Sequence, residues 1–132
     1  MAVSKKRKKS SNKNNRPTAN KLSGVIMEFV KPLAERINSM KRYKSMLEFG
    51  ILVWNISLFS LEDRGDQKDE VMKRLNVGKD EQIKDDLNEI YNYLIYRKDT
   101  IFKSDKRFIV NYEIVEHENR CDLTIGLTKF VQ

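Results

Sequence analysis

Between Tyr43 and Leu61 the chain carries Met46, Leu47, Phe49, Ile51, Leu52, Val53, Trp54, Ile56, Leu58, Phe59 and Leu61, leaving a helix over this stretch almost no polar side. A helix that is apolar nearly all round is stable in water only when neighbours cover it from several directions, so this segment predicts a central helix about which the other elements pack. Its longest apolar stretch, Met46 to Leu61, is interrupted by Glu48, Asn55 and several serines and falls short of the roughly 20 residues needed to cross a bilayer. No integral membrane association is expected. Asn55 sits beside Trp54 within this segment. A buried amide without partners costs about 1–3 kcal/mol, so Asn55 is read as a structural pin, with a polar anchor in a ligand pocket as the alternative.

The flanking segments have helical spacing too. Leu22, Val25, Ile26, Phe29, Val30 and Leu33 recur at three and four, predicting a helix that starts near Asn20 or Ser23 and is broken or kinked at Pro32. Leu33, Ile37 and Met40 predict a continuation from Pro32 to about Met40. After the central helix, the polar run Glu62 to Asp66 predicts an exposed loop, and Asp66 opens a short helix to about Leu75 that Asn76 and Gly78 stop. Asp80 then opens an amphipathic helix, because Ile83, Leu87, Ile90 and Leu94 fall within roughly 60° of one another. Acids at its start and Arg97 and Lys98 at its end suit the helix dipole.

From Arg107 the period changes to two. Phe108, Val110, Tyr112 and Ile114 alternate with Ile109, Asn111, Glu113 and Val115; after a polar turn, Cys121, Leu123, Ile125 and Leu127 alternate with Asp122, Thr124, Gly126 and Thr128. That pattern predicts a β-hairpin, and a hairpin needs a neighbour to be stable. The expected fold is α+β: a mainly helical domain of about four to five helices, followed by a C-terminal antiparallel β-hairpin packed on them. Leu52, Trp54, Phe59, Leu87, Ile90 and Leu94 are expected in its core.

Charge divides the chain unevenly. The first 21 residues hold Lys5, Lys6, Arg7, Lys8, Lys9, Lys13, Arg16 and Lys21 and no acid, while the remaining 111 have 18 basic against 19 acidic residues. The net charge of +7 is therefore carried by the N-terminal end, and a basic face on the remainder does not follow from it. Residues 1–20, rich in Lys, Ser and Asn, are expected to form a basic disordered arm, and residues 21–132 a single domain. Flexible cations neutralise phosphates without regard to sequence, so Lys5, Lys6, Arg7, Lys8, Lys9, Lys13 and Arg16 are the candidate nucleic-acid contacts. Lys5 to Lys9 also has the composition of a nuclear import signal or of an anionic-membrane contact.

The patterns that carry catalysis are weak. Glu116, His117, Glu118 and Cys121 surround the hairpin turn but offer too few strong ligands for a metal, and one thiol with one imidazole lacks the orienting group that nucleophilic catalysis requires. The carboxylates of Glu62 to Glu70 and Asp80 to Glu89 read as solvated faces, without EF-hand spacing, and the five glycines form no phosphate loop. Arg64, Gly65 and Asp66 resemble an integrin-binding tripeptide by coincidence only. Tyr91 is expected in the core; Tyr93 and Tyr96 with Arg97 could stack on bases or pack. One cysteine and no apolar leader after the first cations predict a reducing compartment, the cytoplasm or, in a eukaryote, the nucleus. The chain is thus expected to be a non-catalytic accessory or binding protein with no cofactor or metal. Its domain would engage a protein partner, while the arm would add affinity for RNA or DNA. The alternative is a protein-interaction or regulatory module without a nucleic-acid role. Nothing in the sequence sets an oligomeric state.

Overall fold

The indole of Trp54, on the second helix, is fully buried and donates from Nε1 to the carbonyl of Arg107, 2.8 Å away at the start of the hairpin. The computed structural model describes residues 21–75 and 80–131. Among them are four helices, α1 (Leu22–Ala34), α2 (Met40–Ser57), α3 (Leu61–Arg74) and α4 (Glu81–Thr100), followed by β1 (Arg107–Glu116) and β2 (Cys121–Phe130). The fold is α+β, with the two strands forming an antiparallel hairpin at the C-terminal end. No helix among the described residues is long and apolar enough to cross a membrane.

The apolar circumference of α2 has the predicted consequence: α2 touches every other element. Leu47, Phe49, Ile51, Val53, Trp54 and Ile56 are all buried. Gly50 lets α1 approach, because a Cβ there would run into the Val30 side chain. Phe29, Trp54 and Phe102 form an edge-to-face trio, with ring centroids 5.2, 5.6 and 6.0 Å apart. Trp54 and Leu94 have no exposed surface. Leu52, Leu87 and Ile90 are only half-buried and pack on the edge of the core, and Phe59, also half-buried, meets Phe108 edge-to-face with ring centroids 6.1 Å apart. Ile83 is 49% exposed, so the buried face of α4 turns from the predicted stripe toward Tyr91, Leu94 and Lys98.

Three helix boundaries differ from expectation, each for a local reason. Pro32 does not end α1 but lies within its last turn, and no helix continues to Met40, since residues 35–39 are non-helical. Pro32 has no N–H to donate to the Glu28 carbonyl four residues back. Arg97 of α4 does so instead, from Nη2 at 3.0 Å, and its Nε donates to the Phe29 carbonyl at 2.9 Å. The central helix starts at Met40 rather than Tyr43, because the Ser39 hydroxyl accepts from the Arg42 N–H at 3.3 Å, and it stops at Ser57 rather than Leu61. The polar run predicted as a loop is the first turn of α3. Ser60 caps it reciprocally, accepting from the Asp63 N–H at 3.3 Å and donating to the Asp63 carboxylate at 2.9 Å. Glu62 and Asp63 at its start and Lys73 and Arg74 at its end complement the dipole. Leu61, expected in the central core, is 80% exposed. The stop signals Asn76 and Gly78 lie outside the described residues.

α4 begins where predicted, with the Asp80 carboxylate accepting from the N–H groups of Gln82 and Ile83 at 3.0 and 3.3 Å. In the hairpin the register shifts between Ile109 and Tyr112. Arg107 and Ile109 face inward before the shift and Ile114 after it, so Val110 is left exposed. The Asn111 side-chain oxygen Oδ1 accepts from the Leu127 N–H at 2.9 Å, and Gly126 leaves room for that side chain. On β2, Cys121, Leu123 and Ile125 turn inward as expected, but Leu127 is 55% exposed.

Candidate functional site

A concavity lies where α2 ends, α3 begins and α4 runs out into the hairpin. It has a volume of about 550 Å³ and is walled by Ser57, Leu58, Phe59, Ser60, Leu61 and Val131 together with Arg64, Lys98, Asp99, Lys103 and Lys106. Four cations thus face one carboxylate, leaving a local surplus of three positive charges on a domain whose sequence is close to neutral.

Two of these cations are fixed by the fold. Arg64 projects from the first turns of α3 and grips Asp99 through both terminal nitrogens, at 3.0 and 3.1 Å, while Nη2 also donates to the Ser57 carbonyl at 2.7 Å. Its Nε is buried with no acceptor among the described residues. Lys98 occupies the position that extends the α4 stripe one step past Leu94, so its stem enters the core and the residue is 3% exposed. Its ammonium lies 4.7 Å from the centre of the Trp54 ring. Burial pulls its pKa down from the ordinary lysine value to about 8, an effect the Asp105 carboxylate opposes and Lys106 reinforces. Asp105, 1% exposed, is itself gripped by Arg107, whose Nε and Nη2 donate to its two oxygens at 2.9 and 2.7 Å. Lys103 and Lys106 are exposed at the rim.

The sequence singles out none of these four cations as a site. There Lys98 suits the helix dipole, Arg64 belongs to a chance tripeptide, and averaging charge over the domain conceals the cluster. Two signals were present: a lysine in phase with the apolar stripe, and a stretch from Arg97 to Arg107 with five basic residues against Asp99 and Asp105.

The residues that the sequence does single out are dispersed. Lys5, Lys6, Arg7, Lys8, Lys9, Lys13 and Arg16 lie outside the described residues. Lys21, where the described chain begins, lines a shallow depression with Leu22, Ser23, Arg107 and the middle of β2. His117 and Cys121 do not meet: His117 Nε2 pairs with Asp122 at 2.8 Å, while the Cys121 thiol faces the Met40 carbonyl at 3.7 Å. Burial raises the thiol pKa, helped by Glu116, and the hydrogen bond from His117 lowers that of Asp122. Among the described residues no three potential ligands cluster for a metal. Arg97, a candidate for stacking, has its guanidinium engaged with α1 and 5.5 Å from the Phe102 ring centre, whereas Tyr93 and Tyr96 are exposed. Arg64, Gly65 and Asp66 lie within α3, not in a displayed loop.

Asn55 acts as a pin. Its Nδ2 donates to the Ile109 carbonyl and its Oδ1 accepts from the Ile109 N–H, both at 2.9 Å, so one side chain closes the outer edge of β1 as a neighbouring strand would. No protein-family model, curated protein or solved structure matches the chain.

Proposed function

We propose that this is a non-catalytic binding protein, in which the α+β domain engages a protein partner and the basic residues 1–20 add sequence-independent affinity for RNA or DNA. The observation that carries the proposal is the division of charge: eight cations and no acid in the first 21 residues, against near neutrality in the rest. Such a segment gains affinity for a polyanion by releasing condensed counterions and needs no shaped groove. Partner binding by the domain is supported by the hairpin, where Val110, Val115, Leu127 and Phe130 are between 42% and 68% exposed. Exposed apolar side chains grouped on one element are a feature of association surfaces. The single cysteine favours a reducing compartment, the cytoplasm or a nucleus.

The same hairpin surface favours the second reading, a protein-interaction or regulatory module in which the basic segment has no nucleic-acid role. Affinity purification of the intact chain, with and without nuclease, separates the two. The first reading expects nucleic acid that nuclease removes and a protein partner that survives the treatment. Recovery of the protein partner with no nucleic acid in either sample supports the second.

A further inference from the structure

Lys98 is 3% exposed as a residue and lines the pocket, and no hydrogen bond or ion pair joins its ammonium to another described residue. Arg64, in the same lining, has the one buried side-chain nitrogen without an acceptor among the described residues, its Nε. The Trp54 face 4.7 Å away attracts the Lys98 charge but does not satisfy three N–H donors. The two nearby carboxylates are committed elsewhere, Asp99 to Arg64 and Asp105 to Arg107. The other charged groups lining the pocket with Lys98 are cations: Arg64 from α3, and Lys103 and Lys106 from the segment leading into β1. What this arrangement lacks is a multiply charged acceptor.

We propose that the pocket lined by Arg64, Lys98, Lys103 and Lys106 binds a phosphate monoester, whose oxygens accept from the Lys98 ammonium while the rim lysines offset the remaining charge. A dianion suits a surplus of three positive charges better than the single charge of a phosphodiester does. Lysine serves phosphate as a point charge. At about 550 Å³ the pocket has room beyond the phosphate, with Leu58, Phe59 and Val131 available to the rest of a small molecule. The same group is presented by a free phosphorylated metabolite or by the 5′-phosphate end of a nucleic acid. The pocket uses none of residues 1–20, so either proposal can fail without the other.

The test uses the full chain, Lys98→Met and a Lys103→Ser/Lys106→Ser double variant at constant ionic strength. Calorimetry and thermal melts are run with inorganic phosphate, AMP, and one short oligonucleotide carrying either a 5′-phosphate or a 5′-hydroxyl. Saturable binding of phosphate and AMP to the parent chain is expected, weakened at least about tenfold by Lys98→Met and less by the double variant. Affinity should fall as pH rises through about 8, where Lys98, facing Trp54, Asp99, Asp105, Arg64 and Lys106, loses its proton, and that fall should be absent from Lys98→Met. A gain from the 5′-phosphate on the oligonucleotide identifies the chain end as a source; binding of AMP without that gain identifies a free metabolite. Absence of saturable binding, or equal binding by the parent and Lys98→Met, overturns the proposal. Should Lys98→Met not fold, the double variant decides, since both its sites are exposed, and undiminished binding by it is equally contrary.

Discussion

Arg97 stands in for the N–H that Pro32 lacks: from α4 it reaches the Glu28 carbonyl at 3.0 Å, the acceptor that a proline four residues later leaves without its helical donor. The same guanidinium serves the Phe29 carbonyl at 2.9 Å, so one side chain both repairs α1 and ties it to α4. Arg97→Ala should therefore destabilise the domain by about 1–3 kcal/mol. In a Pro32→Ala background, where the Glu28 carbonyl regains a donor, the loss should be smaller. Urea unfolding of the four chains measures the coupling; a coupling of zero would mean that Arg97 does not serve that carbonyl.

Asn55 closes the outer edge of β1 with two hydrogen bonds to Ile109, so Asn55→Ala leaves an N–H and a carbonyl without partners. A cost of about 1–3 kcal/mol is expected. Asn55→Asp retains the acceptor but sets a carboxylate oxygen against the Ile109 carbonyl, and should cost at least as much as Asn55→Ala. Hydrogen exchange at the Ile109 amide is the direct readout, and unchanged protection in Asn55→Ala would show that the edge is closed by something else.

The α4 phase is tested by two leucines. Leu94 has no exposed surface and Leu87 is half-buried, so Leu94→Ala should cost about 2–5 kcal/mol and Leu87→Ala clearly less. Denaturant midpoints compare them, and equal losses would restore the stripe read from the sequence.

That stripe shows how far periodicity reaches. The existence and order of the main elements follow from it, as does the central place of α2, because a helix apolar on all sides has only one kind of environment open to it. The helix ends did not follow, since they are decided by single hydrogen bonds: the Ser39 and Ser60 caps at the starts, and Arg97 on Glu28 at Pro32. In the first strand of the hairpin no single alternation holds, because the register shift puts Ile109 inward before it and Ile114 inward after it. The cationic pocket was not legible from charge totals, because Arg64, Lys98, Lys103 and Lys106 come from separate stretches and acids elsewhere in the domain cancel them.

Lys98 should leave a mark on the pH dependence of stability. Its pKa falls from 10.5 in the unfolded chain to about 8 in the fold, so between those values the unfolded state holds more protons than the native one. Stability from this group is therefore fully present above about 10.5 and lost as pH falls through about 8. Lys98→Met should lack that increment. Cys121, Tyr43, Tyr91 and Tyr112, whose pKa values are raised chiefly by burial, contribute with the opposite sign at the alkaline end. They are common to both chains, so the difference between parent and variant isolates Lys98. A difference that is flat between pH 8 and 10.5 would show that Lys98 titrates as an ordinary lysine.

The division of charge is tested most directly by the salt dependence of duplex DNA binding, measured with 5′-hydroxyl ends for the intact chain and for a variant with Lys5, Lys6, Arg7, Lys8 and Lys9 neutralised together. The intact chain should bind without marked sequence preference. Neutralisation should weaken binding uniformly across sequences and reduce the log–log salt slope by about 0.9 for each phosphate that no longer meets a cation. An affinity and slope unchanged by neutralisation would contradict the account by placing the nucleic-acid contacts on the folded domain, and failure of the intact chain to bind would leave only the protein-interaction module.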